Sequence, residues 1–299
     1  MHSKEMQAYM EMFLKRKNAP QLPIEEQRRG IIKRMCGAPL PEGTETEFFM
    51  LGNVRAERIC VPGARSDAVL FFIHGGGFTI GSAYSANFFG SRAALESKQT
   101  VISIEYRLGP EYQFVDGLAD CIAAYQEILR SGVPAEGITV SGDSAGGYMS
   151  LALVMWLKMG GHPLPGSMVL LSPAVGFGLE APTEYQMKHD VMLAYDASAG
   201  VREAYFREAD LFDPVVNPII GDFTGFPPTY IEVCTDEILF NNSLALAKKL
   251  GEAGCECYLH IAKGLCHGYE ITMTPEAEAV AKETGRFIAD CLKKKTYNV

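Results

Sequence analysis

Gly142-Asp143-Ser144-Ala145-Gly146 sets a serine between glycines two residues before it and two after it. The β-branched run Ile138, Thr139, Val140 leads in, and a helical pattern over Ala145–Met159 leads out. A strand that passes into a helix through so short a turn crowds the residues around the serine, and glycine relieves that crowding. The hydroxyl then stands clear of the sheet, beside the Ala145 N–H and a helix N-terminus. A serine in that position is set up to attack an acyl carbonyl. It needs a base to take its proton, an acid to orient the base, and N–H donors for the oxyanion that forms.

The base follows from the positions of the six histidines. His2 is terminal, His74 heads a glycine run, His162 lies in a Gly-Pro loop, and His189 falls in an irregular region. His260 points along a strand. His267 alone sits in a loop after the last strand and before the last helix, with Gly268 behind it. For the acid, chain order in this kind of site runs Ser, Asp or Glu, then His, with the acid at a strand end. Asp236 ends the strand TYIEVC and meets that condition, and Glu237, one residue on, is its rival; Asp236 is taken as the acid. The aspartates of the irregular region, Asp190 among them, read as solvated or helix-capping charges. The oxyanion donors are assigned to the Gly76 and Gly77 N–H groups of His74-Gly75-Gly76-Gly77-Phe78, together with Ala145 N–H, because glycine lets backbone approach an acyl group closely.

These residues need a scaffold that brings strand ends together. Apolar runs at Ala68–Ile73, Thr100–Tyr106, Ile138–Val140, Ser167–Leu171, Thr229–Cys234 and Glu256–Ile261 read as strands. Helical patterns near Ala86–Glu96, Phe114–Ser131, Ala145–Met159, Asn242–Ala253 and Pro275–Lys293 alternate with them. That alternation predicts an α/β fold, a mostly parallel central sheet flanked by helices. Functional groups of such sheets gather at the carboxyl ends of strands, where Ser144, Asp236, His267 and the glycine run all fall. Residues 45–60 read as a hairpin around Gly52-Asn53. Residues 1–44 read as amphipathic helices, the second over about Ile24–Met35, and form an N-terminal cap segment. Residues 177–225 are too long for a plain connection and read as an inserted cap with helices near Glu184–Tyr195 and Ala197–Glu208. The core is then 45–176 and 226–299. A net charge of −9 argues against nucleic acid or an anionic membrane as partner. No run has the length of a membrane span. The N-terminus lacks the apolar core of a signal peptide, so the expectation is a cytoplasmic protein with its eight scattered cysteines reduced. None of the cysteines has a zinc-type spacing, and Cys266 draws notice only for standing beside His267.

The motifs HGGGF (His74–Phe78), YRLGPE (Tyr106–Glu111), GDSAGG (Gly142–Gly147), Asp236 and His267-Gly268 resemble those of the hormone-sensitive-lipase-like (type IV) esterases of the α/β-hydrolase superfamily, over roughly residues 65–290. The resemblance implies the α/β-hydrolase fold with a helical cap, a Ser144–Asp236–His267 triad, and hydrolysis of short- to medium-chain acyl or acetyl esters without metal or cofactor. It also implies loop-supporting roles for His74, Arg107 and Glu111, and it is compatible with a homodimer. The chain departs from the family's D-P-L-x-D acid motif, reading Asp236-Glu237-Ile238-Leu239-Phe240, and it places Tyr148 after GDSAGG. Phe78, Tyr84 and Tyr148 are the candidate substrate contacts, with Tyr185 and Phe206 of the cap behind them. A non-enzymatic small-ligand receptor on the same fold and a small-amide hydrolase are the competing readings.

Overall fold

The computed structural model describes residues 2–195, 200 and 204–296. Its strands are β1 (Glu45–Leu51), β2 (Val54–Cys60), β3 (Val69–Ile73), β4 (Thr100–Ile104), β5 (Ile138–Asp143), β6 (Ser167–Leu171), β7 (Thr229–Cys234) and β8 (Cys257–Ala262). β3 is VLFFI, five apolar residues in succession. Neighbouring side chains on a strand point to opposite faces, so such a run has to be covered on both sides. Val69, Phe71 and Ile73 enter one buried cluster, and Leu70 and Phe72 enter another. Each fully buried side chain of this size contributes about 1.5–3 kcal/mol relative to exposure.

The eight strands form one sheet in the order β1-β2-β4-β3-β5-β6-β7-β8. β1 and β2 make the expected hairpin, with Leu51 opposite Val54. β2 joins β4 antiparallel, and every pairing from β4 to β8 is parallel. The helices are α1 (Lys4–Lys17), α2 (Ile24–Met35), α3 (Ala86–Ser97), α4 (Phe114–Arg130), α5 (Ala145–Met159), α6 (Glu184–His189), α7 (Phe240–Glu252) and α8 (Pro275–Thr296). Helices α4, α5 and α7 cover the Phe71 face of the sheet. Helices α1, α3 and α8 cover the Phe72 face. This is the layered arrangement expected from the alternation of patterns.

Two expectations in the 177–225 stretch change. The helix expected over Glu184–Tyr195 stops at His189. Asp190 leaves the helical region with ψ 111°, and its carboxylate accepts the Met192 and Leu193 N–H groups at 2.8 and 2.7 Å. The helix expected over Ala197–Glu208 falls in large part outside the described residues. Among the described residues, 177–225 contain no strand.

Candidate active site

The turn after β5 is as tight as the glycine spacing implied. Ser144 holds φ 52° and ψ −115°, a region L-residues avoid. A Cβ at Gly146 would overlap the Ile73 carbonyl on the neighbouring strand, so only glycine lets α5 start this close to β3. Ser144 Oγ lies 2.9 Å from His267 Nε2. The nucleophile and the base are therefore in hydrogen-bond contact, 123 residues apart in sequence.

The carboxylate that faces the base is not Asp236. Glu237 is fully buried, and its Oε2 lies 3.6 Å from His267 Nδ1, an ion-pair distance somewhat longer than a hydrogen bond. Asp236 is half-buried and turns the other way: its Oδ1 accepts the Thr235 hydroxyl at 2.7 Å and the Tyr185 hydroxyl at 3.3 Å. The triad acid is corrected from Asp236 to Glu237. The physical reason is register, because the chain runs two residues past the end of β7 before a side chain turns inward. The D-P-L motif carried the signal. Aligned on Leu239 rather than on an aspartate, it puts Glu237 in the acid position and Ile238 in place of the proline.

Behind Glu237 stand two residues that sequence reasoning did not single out. Ser172 Oγ lies 2.7 Å from Glu237 Oε2 and 2.8 Å from Glu270 Oε1, and all three residues are buried. A serine hydroxyl has one hydrogen to donate, so both contacts are hydrogen bonds only when one carboxyl is protonated. Burial raises Glu270 well above the usual carboxylate range, and the charges of Glu237 and Glu232 raise it further. Neutral Glu270 thus donates to Ser172, which donates to ionised Glu237. Glu270→Gln keeps a neutral donor there and should lower kcat/KM by less than about tenfold, the worth of one neutral hydrogen bond. Ser172→Val, which leaves two buried carboxyls unbridged, should lose more in the same assay.

Burial disfavours the charged form of His267, but the carboxylates of Glu237, Asp190 and Asp143 outweigh it, and the imidazole ends above its ordinary pKa. Asp190 is buried rather than solvated. Its Oδ2 accepts the Ile238 N–H at 3.0 Å, which ties the 177–225 stretch to the loop carrying Glu237. Cys266 is buried as well, and burial pushes its thiol up to about 12, out of the range of a reactive thiolate.

The glycine run after β3 is braced from below. Asp143 Oδ1 accepts the Gly75 N–H at 2.8 Å, His74 stacks on Tyr106 with ring centroids 4.5 Å apart, and Tyr106 donates to the His74 carbonyl at 3.0 Å. Arg28 of α2 donates to the Thr79 carbonyl at 2.8 Å and pairs with Glu111, and Arg107 pairs with Asp120 at 2.9 Å. His74, Arg107 and Glu111 are therefore loop supports. Gly76, Gly77 and Ala145 line the same cavity as Ser144, and among the described residues their N–H groups have no acceptor in the chain.

That cavity has a volume of about 1320 Å³. Phe78, Tyr148 and Phe206 line it. The three rings pack edge-to-face, with centroids 5.2–5.5 Å apart, and the Tyr148 hydroxyl is held by the Val216 carbonyl. Tyr84 is a correction. It follows a short turn that aims it away, and it packs on Phe48 of β1 at 5.0 Å rather than lining the cavity. Tyr185 is exposed, stacks on His189 and does not line the cavity either.

A half-buried serine on a buried imidazole, beside unpaired N–H groups at the strand ends of a parallel sheet, defines a serine hydrolase of the α/β type. A family model for the alpha/beta hydrolase fold matches residues 70–271, and the chain belongs to that family. An esterase of Acinetobacter venetianus is 29% identical over 264 residues, 87% of each chain. An acetyl-hydrolase of Streptomyces hygroscopicus is 30% identical over 209 residues, 70% of each chain. A solved esterase of the bacterial hormone-sensitive lipase family superposes with a TM-score of 0.90 at 28% identity, covering 98% of this chain and 99% of that one. Within the family this chain is a hormone-sensitive-lipase-like carboxylic ester hydrolase.

Proposed function

We propose that the chain cleaves short- to medium-chain carboxylic esters through an acyl-enzyme on Ser144. The observation that carries this reading is the 2.9 Å contact between Ser144 Oγ and His267 Nε2 inside a cavity lined by Gly76, Gly77 and Ala145. His267 takes the serine proton as Oγ attacks the acyl carbon. The three N–H groups hold the developing oxyanion, each such donor being worth about 10²–10³ in rate. Glu237 keeps the Nδ1 proton of His267 in place and offsets the imidazolium charge. His267 then protonates the leaving alcohol. In the second half it deprotonates water, which releases the acid and restores Ser144. These steps need no metal or organic cofactor.

Residues 1–44 and 177–225 act in this reading as a cap over the cavity, because α1, α2 and the loops around Leu179 and Leu193 all contribute to its lining. The aromatic wall of Phe78, Tyr148 and Phe206 limits the acyl arm. Among the described residues no helix is long and apolar enough to cross a membrane. A cytoplasmic location goes with the reading through the free thiols, and a homodimer goes with it through the family resemblance alone. The test is a series of p-nitrophenyl esters from acetate to laurate. We expect the highest kcat/KM between acetate and hexanoate. Preference for laurate over butyrate would overturn the chain length, and no turnover across the series would overturn the esterase reading.

A further inference from the structure

The part of the cavity lining that α1 and α2 supply is cationic. Helix α1 turns Phe13, Arg16 and Lys17 to the cavity, and α2 turns Ile31, Arg34 and Met35 to it. Both sets follow helical spacing, so each helix offers an apolar stripe that finishes in an arginine in its last turn. The Nε of Arg34 is buried and has no hydrogen-bond partner. Among the described residues, neither Arg16 nor Arg34 forms an ion pair. Arg28, on the same helix as Arg34, shows what a paired guanidinium looks like in this chain: two hydrogen bonds to the Glu111 carboxylate at 2.7 and 2.8 Å.

A half-buried guanidinium without a counter-charge is costly. Burial lowers the Arg34 pKa, and the neighbouring Arg16 charge lowers it further. Of the other charged groups on this lining, Lys17 donates to the Asp190 carbonyl at 2.6 Å, and Asp143 is engaged by the Gly75 N–H. Glu180 is exposed at the rim. Three cations, Arg16, Lys17 and Arg34, therefore stand on this lining against two carboxylates, Asp143 beneath the glycine run and the exposed Glu180, in a chain whose net charge is −9. A cleft of one sign inside an oppositely charged molecule draws in and orients ions of the other sign. The volume of about 1320 Å³ exceeds that of common small-ligand pockets, so a second substrate arm fits beyond the ester.

We propose that the preferred substrates are esters with a terminal anionic group, a carboxylate or a phosphate, that Arg34 and Arg16 bind while the ester carbonyl lies at Ser144. The proposal rests on the ester-hydrolase reading above. A guanidinium fork matches either anion with two parallel hydrogen bonds.

The test compares matched esters that differ only in the terminal group. For the acyl arm, p-nitrophenyl hemiglutarate is set against p-nitrophenyl valerate. For the alcohol arm, 3-(4-acetoxyphenyl)propanoate and 3-(4-acetoxyphenyl)propyl phosphate are set against 3-(4-acetoxyphenyl)propanamide. At low salt the wild type should favour the anionic member of at least one pair by about tenfold or more in kcat/KM, the worth of a hydrogen bond to a charged group. The ratio should shrink as salt rises. Which probe wins tells carboxylate from phosphate and one arm from the other. Arg34→Met should cut the ratio about tenfold, measured within the variant so that any change in overall activity cancels. Arg16→Met, at an exposed position, carries the test if the first variant does not fold. Turnover of neutral esters with every ratio at or below one overturns the anionic specificity and leaves ester hydrolysis standing. A ratio untouched in both variants also overturns it. No turnover of any probe overturns the underlying reading instead.

Discussion

Replacing Glu237 by glutamine should lower kcat about 10⁴-fold, the cost of losing the carboxylate that holds the catalytic tautomer, while Asp236→Asn should leave kcat/KM within about a factor of three, as for a surface polar change. The two acids are adjacent in sequence and opposite in environment. Glu237 is fully buried and faces Nδ1 of His267. Asp236 bonds to Thr235 and Tyr185 on the outer side. Glutamine in place of Glu237 can donate its amide N–H to Nδ1, which would put the imidazole proton on Nε2, where Ser144 needs an acceptor. The 3.6 Å separation does not weaken the expectation, because catalytic contacts in a free enzyme often tighten only when substrate binds. The pH profile adds a second readout. His267 must be neutral to act as base, so activity rises with pH through its pKa. That pKa is raised, so the acid limb of wild-type kcat/KM should lie above the ordinary histidine value of about 6.5. Glu237 is among the charges that raise it, and in Glu237→Gln the residual activity should keep its acid limb at lower pH. If Asp236→Asn shows the large loss and Glu237→Gln does not, Glu237 is not the acid.

Legibility in the sequence followed how local each cause was. The start of β5, the serine turn and α5 were readable to the residue, because apolar runs, two glycines and a helical repeat act within a few positions of each other, although β5 itself runs on to Asp143, three residues past the β-branched run. β6 and β7 were readable for the same reason. The acid was not, because its identity depends on how the chain turns after Cys234. A one-residue change of register exchanges a buried carboxylate for an outward one. Tyr84 failed similarly, being close to the glycine run in sequence but carried to Phe48 by the turn between them. Ser172 and Glu270 are 98 residues apart and meet only when β6 and the His267 loop are in place. A strand-end rule would have marked Ser172, at the end of β6, as a position to inspect. The amphipathic face of α2 was legible as well. That Arg34 finds no acid when α2 is packed, while Arg28 finds Glu111, depends on contacts more than 50 residues away.

Ser144→Ala and His267→Ala should each reduce kcat about 10⁶-fold on p-nitrophenyl butyrate, and the double variant should be no worse than either single one. The two residues share one proton across a 2.9 Å contact, so removing either removes the same step. Additive losses would mean that the two act independently, which that contact does not allow in a shared mechanism. The residual rate should still exceed hydrolysis in water, because Gly76, Gly77 and Ala145 continue to offer N–H groups to the carbonyl oxygen. The singles also separate binding from chemistry. The aromatic wall and the cap arginines are untouched in Ser144→Ala, so affinity for an unreactive ester analogue should stay within a few-fold of wild type while turnover falls by orders of magnitude. Loss of affinity equal to the loss of turnover would instead place Ser144 in substrate binding, and the geometry around it would then need a different chemistry.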